Sequence, residues 1–270
     1  MNEPFLIAAF LGTQALGDFV MQHLVSASVA RAVPGSRLVS IYRDDRPYKG
    51  LITLCNPYVA APLKVPGDPN ILIPLDWFDG TPRKPASPFA EQWFEAGFHK
   101  PDLLLTPSMI EISQCVGPPP RFRFPGDTAS ILTEALARRG VDEDRWFACL
   151  HMRESGYRWR REVDTQRTVD PRSYLSMVLD IIREQGGQVV RLGDPSMTPL
   201  PEIDGLIDLS RDENSFPEQA FASARARYFI GTDTGPTQLA CAFKTPAATT
   251  NALGIGVWNR GDVVSLKRYV

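Results

Sequence analysis

The apolar positions of this chain fall in short dense runs that alternate with stretches of helical spacing. Residues 5–11 (Phe-Leu-Ile-Ala-Ala-Phe-Leu) are continuously apolar over strand length, the pattern of a strand covered on both faces. Gly12 ends the run; Phe19, Leu24, Val25, Val29 and Val33 then recur at near-helical spacing until Pro34-Gly35 stops the helix. Residues 38–42 (Leu-Val-Ser-Ile-Tyr) are mostly apolar again, so residues 5–42 read as strand, loop, helix, strand. A short helix opens at 51–54, a strand is expected over 70–75, and an aromatic-faced helix over 90–97, before 101–105 lead into Thr106. Gly117 and the three prolines after it exclude regular structure and put a linker over 115–128. Beyond it the pattern predicts a helix over 129–139, a strand over 147–152, a helix over 171–184, strands over 189–192 and 207–209, and a helix over 216–225. A strand at 228–230 and a helix over 237–243 follow. Strands alternating with helices predict parallel sheets. A chain of 270 residues accommodates two such α/β domains, 1–125 and 126–270.

Composition narrows the function by exclusion. With 29 basic and 31 acidic residues the net charge is −2, which gives no electrostatic case for nucleic-acid binding. Cys55, Cys115, Cys149 and Cys241 are scattered, with neither CxxC nor histidine-rich spacing, so neither a zinc site nor a disulfide framework is indicated and a reducing, cytoplasmic setting fits. The amino-terminal apolar run lacks a basic flank and is far shorter than the roughly 20 residues of a membrane span, so no integral membrane segment is expected.

The polar loops carry the candidate chemistry. Tyr228-Phe229-Ile230 leads into Gly231-Thr232-Asp233-Thr234-Gly235-Pro236 and then a helix, an arrangement that offers the helix's free N–H groups and positive dipole end to an anion. Read more plainly, the same residues are an N-cap and a turn. Two further loops follow strands: His151-Met152-Arg153-Glu154-Ser155, and Arg191-Leu192-Gly193-Asp194. Loops at the carboxyl ends of parallel strands converge on the crevice where such sheets bind ligands. Arg153 suits bidentate phosphate binding, Asp194 a ribose or base, and Thr232, Asp233, Thr234, Gly235 and Thr237 a pyrophosphate cradle. The plain alternative for Arg153 is a salt bridge, with Asp194 as one possible partner. A basic loop, Arg158-Trp159-Arg160-Arg161, lies close by. In the first half, Asp18 stands at the mouth of the first crossover, where it either caps the helix or faces a ligand. Trp77, Phe78, Trp93, Phe94 and Phe98 either line an acceptor cleft or, as such residues more often do, fill a core.

The order Cys-Leu-His-Met-Arg-Glu-Ser-Gly-Tyr, then Val-Val-Arg-Leu-Gly-Asp, then Tyr-Phe-Ile-Gly-Thr-Asp-Thr-Gly-Pro resembles GT-B-fold glycosyltransferases, in particular a bacterial group with His-x-Arg-x-Ser-x-Tyr, Arg-x-Gly-Asp and Phe-Ile-Gly-Thr-x-Ser-Gly signatures. The resemblance covers residues 140–258. Leu16-Gly17-Asp18 and Asp233-Thr234-Gly235-Pro236 are similar to heptosyltransferase motifs, and His151-x-Arg153 to the donor-binding arginine motif of fucosyltransferases, in some of which an aspartate follows where Ser155 stands here. It implies two Rossmann-like domains and transfer of a sugar from a nucleoside-diphosphate donor to a glycan, lipid-linked or peptide hydroxyl, in bacterial surface glycan synthesis. His151, Arg153, Ser155, Gly193, Asp194, Thr232, Asp233, Thr234, Gly235 and Thr237 would bind the donor. Asp18, Arg153 and Glu154 would be catalytic, with Asp18 as general base and Arg153 neutralising the departing diphosphate. No metal and no cofactor beyond the donor is implied; the one DxD-shaped match, Asp142-Glu143-Asp144, reads as a helix-to-strand turn. GT-B proteins usually end in a helix crossing back to the first domain, and the residues before Val270 carry no such pattern. Two other readings stay open: a nucleotide-sugar-binding protein without transfer, and another nucleotide-sugar enzyme such as an epimerase, although Gly12-Thr-Gln-Ala-Leu-Gly17-Asp18 lacks the GxGxxG of a nicotinamide site.

Overall fold

All six residues of β1 (Leu6–Leu11) are buried, and the strand lies inside a parallel sheet of order β3-β2-β1-β4. The computed structural model describes residues 3–69, 77, 88–106, 116–154, 168–251 and 265–267. They divide between two compact units, Met1–Phe122 and Arg123–Val270. In chain order the first unit holds β1, α1 (Leu16–Ala32), β2 (Arg37–Arg43), α2 (Pro47–Cys55), β3 (Val59–Val65), α3 (Pro88–Glu95) and β4 (Leu103–Leu105). Phe10, Trp77, Phe89, Trp93 and Phe98 pack edge to face or tilted on one face of this sheet, with ring centroids 4.9–6.5 Å apart. Trp77, Trp93 and Phe98 are therefore core rather than cleft. Phe94 is exposed, and Phe78 lies outside the described residues, as does the strand expected over 70–75. The third strand among the described residues is Val59–Val65; its Pro62 is tolerated because β3 is the edge of the sheet as described.

Helix α1 departs from the amphipathic pattern, since every residue from 19 to 28 is buried, including Gln22, His23, Ser26 and Ser28. The two serine hydroxyls donate back to carbonyls of their own helix, Ser26 to His23 at 3.1 Å and Ser28 to Val25 at 2.7 Å. His23 bonds to α2 and the residue after it. Asn56 Nδ2 lies 3.2 Å from Nδ1, and Thr53 Oγ1 lies 3.1 Å from Nε2. Because the Thr53 hydroxyl donates to the Lys49 carbonyl at 2.8 Å, it accepts from His23, which fixes the neutral Nε2–H tautomer. Burial pushes the His23 pKa down to about 3.

The second unit holds α4 (Gly126–Arg138), β5 (Phe147–His151), a 3₁₀ turn (Pro171–Tyr174) running into α5 (Leu175–Arg183), β6 (Gln188–Arg191), β7 (Leu206–Asp208), α6 (Phe216–Arg225), β8 (Tyr228–Thr232), α7 (Gly235–Ala242), β9 (Ala247–Thr250) and β10 (Ser265–Lys267). The strands are parallel in the order β10-β9-β8-β5-β6-β7. Side chains alternate across β5. Phe147 and Cys149 join Leu132, Leu136 and Phe221 of α4 and α6, while Ala148 and Leu150 join Val178 and Ile181 of α5. Both faces are thus covered, as a parallel sheet requires. From β5 the chain winds outward through β6 and β7, then returns to the other side of β5 as β8. The order reverses between β5 and β8, the switch point at which such sheets open a crevice. No helix among the described residues is long and apolar enough to cross a membrane.

The buried histidines make stability pH-dependent with a definite sign. The unfolded chain protonates His23 below its ordinary value of 6.5, whereas the folded chain does so only near 3. The contribution is therefore complete above pH 6.5 and is lost as the pH falls from 6.5 toward 3, at up to about 1.4 kcal/mol per pH unit. Chemical denaturation at a series of pH values should show this loss, and His23→Gln should flatten it. An equally steep acid loss in the variant would remove the assignment.

Candidate active site at the β5–β8 switch point

The site grows from the register of β5 against β8. His151, the last residue of β5, pairs with Gly231, so the two strands release their loops side by side. A Cβ on Gly231 would lie 2.9 Å from the His151 carbonyl oxygen and 2.6 Å from the Phe229 ring, so only glycine allows this approach. The Arg153 N–H donates to Thr232 Oγ1 at 2.9 Å, and the Arg153 carbonyl accepts from Val169 N–H at 2.9 Å. The loop after β5 is thus tied to the end of β8. Thr237 and Thr234 both donate to the Thr232 carbonyl, at 2.7 and 3.3 Å, folding the loop back at the mouth of α7.

Thr234 is the N-cap residue of α7, yet its side chain makes no capping bond and instead lies 3.0 Å from His151 Nδ1. With Pro236 in the first turn, α7 offers N–H groups and a positive dipole end beside His151. His151 is 6% exposed, and burial is the main cause that takes its pKa down to about 4. Asp194 pulls it up, while Arg191 and Arg153 push it down. Charges from the β5 and β6 loops are therefore felt at one neutral imidazole that also touches the β8 loop.

The expected site residues fall into three groups. His151, Arg153, Asp194, Asp233, Thr234 and Gly235 come together at the rim, all but His151 half-buried. Asp194 spends one oxygen on the Ser196 N–H at 2.9 Å, a local turn. Thr232, Thr237 and Glu154 are interior. Thr232 is 0% and Thr237 2% exposed, and their hydroxyls hold the loop rather than face a ligand. Glu154 has both oxygens engaged: Oε1 accepts from Arg191 Nη2 at 2.8 Å and Oε2 from Thr198 N–H at 2.7 Å. Its carboxylate, expected in a catalytic role, is thus directed into the protein. Ser155 and residues 158–161 lie outside the described residues. Asp18 is exposed in the other unit, at the third position of α1; the N-cap there is Ala15, so Asp18 is not the cap. The Asp142-Glu143-Asp144 turn, where Asp142 Oδ1 accepts from Asp144 N–H at 3.0 Å, precedes β5 at the opposite pole.

Sequence reasoning missed Arg191 as a scaffold, Thr198, Gln219 and Gly231. Gln219 of α6 brackets Gly193, accepting from its N–H at 2.9 Å and donating to its carbonyl at 2.8 Å. Gly193 sits at φ +151°, and a Cβ there would collide with Met197 Sδ. The signal available was a glutamine among the buried positions of α6. A cavity of about 330 Å³ opens between α4, α6 and the residues before β5, lined in part by Leu136, Trp146, Phe221 and Arg227. It lies at the amino ends of the strands and includes no residue of the three loops, so it is not the crevice.

No protein-family model and no curated protein matches the sequence. Among solved structures, the chain is similar to the glycosyl transferase family 9 from Veillonella parvula DSM 2008, at 12% identity over 99% of this chain and 86% of that one, with a TM-score of 0.57. It is similar to E. coli ADP-heptose lps heptosyltransferase II, at 12% identity, 92% and 84% coverage and a TM-score of 0.55. It also resembles E. coli heptosyltransferase WaaC with ADP, at 11% identity, 97% and 92% coverage and a TM-score of 0.54. At such identities the likeness is one of fold, two parallel α/β units of the GT-B kind.

The close approach at Gly231 generates a test. Gly231→Ala should destabilise the second unit by about 1–3 kcal/mol through overpacking against the backbone of β5. A melting temperature equal to that of the unaltered protein would show that the two strands separate without cost.

Proposed function

We propose that this chain is a glycosyltransferase moving a sugar from a nucleoside-diphosphate donor to a hydroxyl acceptor. One juxtaposition carries the reading: Arg153, neutral His151 and the amino end of α7 meet where strand order reverses. The fold in which they meet is shared over nearly the whole chain with glycosyltransferases. A diphosphate seated there accepts from the N–H groups of α7 and from the Arg153 fork.

In the transfer, the acceptor oxygen bonds to the anomeric carbon as the bond from that carbon to the diphosphate oxygen breaks. The electron pair leaves on the diphosphate and the hydroxyl proton passes to a base. Arg153 and the helix terminus stabilise the developing charge, so the reading needs no divalent ion. The base is assigned to Asp18, which is exposed at the carboxyl end of β1, and the first unit to the acceptor. Two structural neighbours are heptosyltransferases, one named for ADP-heptose and one solved with ADP. ADP is accordingly the first probe, and cytoplasmic steps of bacterial surface glycan synthesis the setting.

Calorimetric titration with ADP, UDP, GDP, CDP and dTDP tests the donor reading. Arg153→Ala should weaken the bound diphosphate by roughly 1.5–3 kcal/mol, the worth of a hydrogen bond to a charged group. Arg153→Lys should restore only part, because the fork is gone. Unchanged affinity in folded Arg153→Ala would sink the reading.

Asp18→Asn keeps the helix start but removes the proton acceptor. It should leave melting and diphosphate affinity unchanged while lowering turnover on the order of 10²–10⁴-fold. Full turnover in that variant would reassign the base.

A further inference from the structure

Arg191 is 0% exposed and Glu154 7% exposed, an ion pair closed off from water beside the crevice. The guanidinium is shared among three elements. Nη2 donates to Glu154 Oε1 at 2.8 Å and to the Thr198 carbonyl at 2.8 Å, and Nη1 donates to Asp208 Oδ2 at 3.1 Å. Its Nε has no hydrogen-bond partner among the described residues. Replacing a buried ion pair with apolar side chains is often neutral or stabilising, so stability alone is a weak reason for this one.

Its position supplies a better reason. Glu154 follows Arg153, whose own N–H and carbonyl are already held by Thr232 and Val169. The Glu154 carboxylate completes a three-point hold on this short backbone segment, and its second oxygen, through Thr198 N–H, fastens the β6 loop to the same point. We infer that the Glu154–Arg191 pair is a positioning device: it fixes the backbone from which the Arg153 side chain reaches a bound diphosphate. This rests on the donor reading above and gives Glu154 a function that requires no proton transfer. Fixed in this way, the Arg153 fork meets the phosphate without first ordering its own loop.

A double-mutant cycle read by diphosphate affinity tests the device, with ADP and inorganic pyrophosphate as probes on the full chain. Glu154→Gln keeps side-chain volume and one acceptor, and carries the test where Glu154→Ala strands the buried Arg191 and unfolds the domain. In the unaltered background Glu154→Gln should weaken ADP binding about tenfold, most of what one charged hydrogen bond contributes. In the Arg153→Ala background the same change should cost less than about twofold, since no fork remains to be aimed. Arg191→Lys should behave as Glu154→Gln does, and Glu154→Asp should recover less than Glu154→Gln because it is too short to reach Arg191. Equal losses in both backgrounds, or no loss in either, with the unaltered protein binding ADP, would overturn the positioning role alone. Failure of the unaltered protein to bind either probe would overturn the donor reading and this inference together.

Discussion

The parallel pairing of β5 with β8 is the contact on which the second unit depends. The strands belong to opposite arms of the winding, so nothing in the local chain brings them together, yet their ends carry His151, Arg153 and the mouth of α7. The backbone of His151 lies against Gly231 with no room for a Cβ. One residue further, the Thr232 hydroxyl takes the Arg153 N–H. A sheet joined this tightly at its reversal point holds an imidazole, a guanidinium-bearing loop and a helix terminus at fixed separation, the preorganisation that electrostatic stabilisation of a leaving group requires.

The polar groups behind that rim are arranged so that few are left unmatched. Gln219 stands in for a neighbouring strand at Gly193, satisfying both its N–H and its carbonyl. Glu154, Arg191 and the partly buried Asp208 form an acid–base–acid row, and Ser210 completes it by donating to Asp208 Oδ1 from its N–H at 3.0 Å. Burying the charges of Glu154 and Arg191 is costly unless each is hydrogen-bonded, and here each has at least two partners. The result is a hydrogen-bonded floor beside the half-buried Arg153 and Asp194.

The first unit solves a different problem. Its α1 is buried along ten consecutive residues, so polar groups enter the interior and must be paired there. His23 links α1 to Thr53 and Asn56 only while uncharged. The loop between β1 and α1, just before Asp18 in the first turn of α1, is held by α2 as well: the Tyr48 hydroxyl donates to the Gln14 carbonyl. The exposed carboxylate thus stands on a helix start that follows a braced loop.

The sequence by itself determined the strands built on short apolar runs, β1, β2, β5, β6 and β8, and the helix stop at Pro34-Gly35. These are set by burial on both faces and by backbone freedom, which act within a few residues. It also determined that three polar loops follow strands of parallel α/β units, because alternating strands and helices leave little other choice. Tertiary structure alone decided the rest. The strands β3 and β9 carry Val-Ala-Ala-Pro-Leu-Lys-Val and Ala-Ala-Thr-Thr, too mixed to announce themselves, and exist because a neighbouring strand pairs with them. Gly231, which allows the close approach of β5, lies inside β8, and Gly235 takes the first helical position of α7. Glu154 is adjacent to Arg153 in sequence, yet its carboxylate is inside and committed, because Arg191, 37 positions away, offers it a buried partner. Periodicity records which face of an element is wet; it does not record which charged groups meet across elements, and that meeting separates a scaffold carboxylate from a catalytic one.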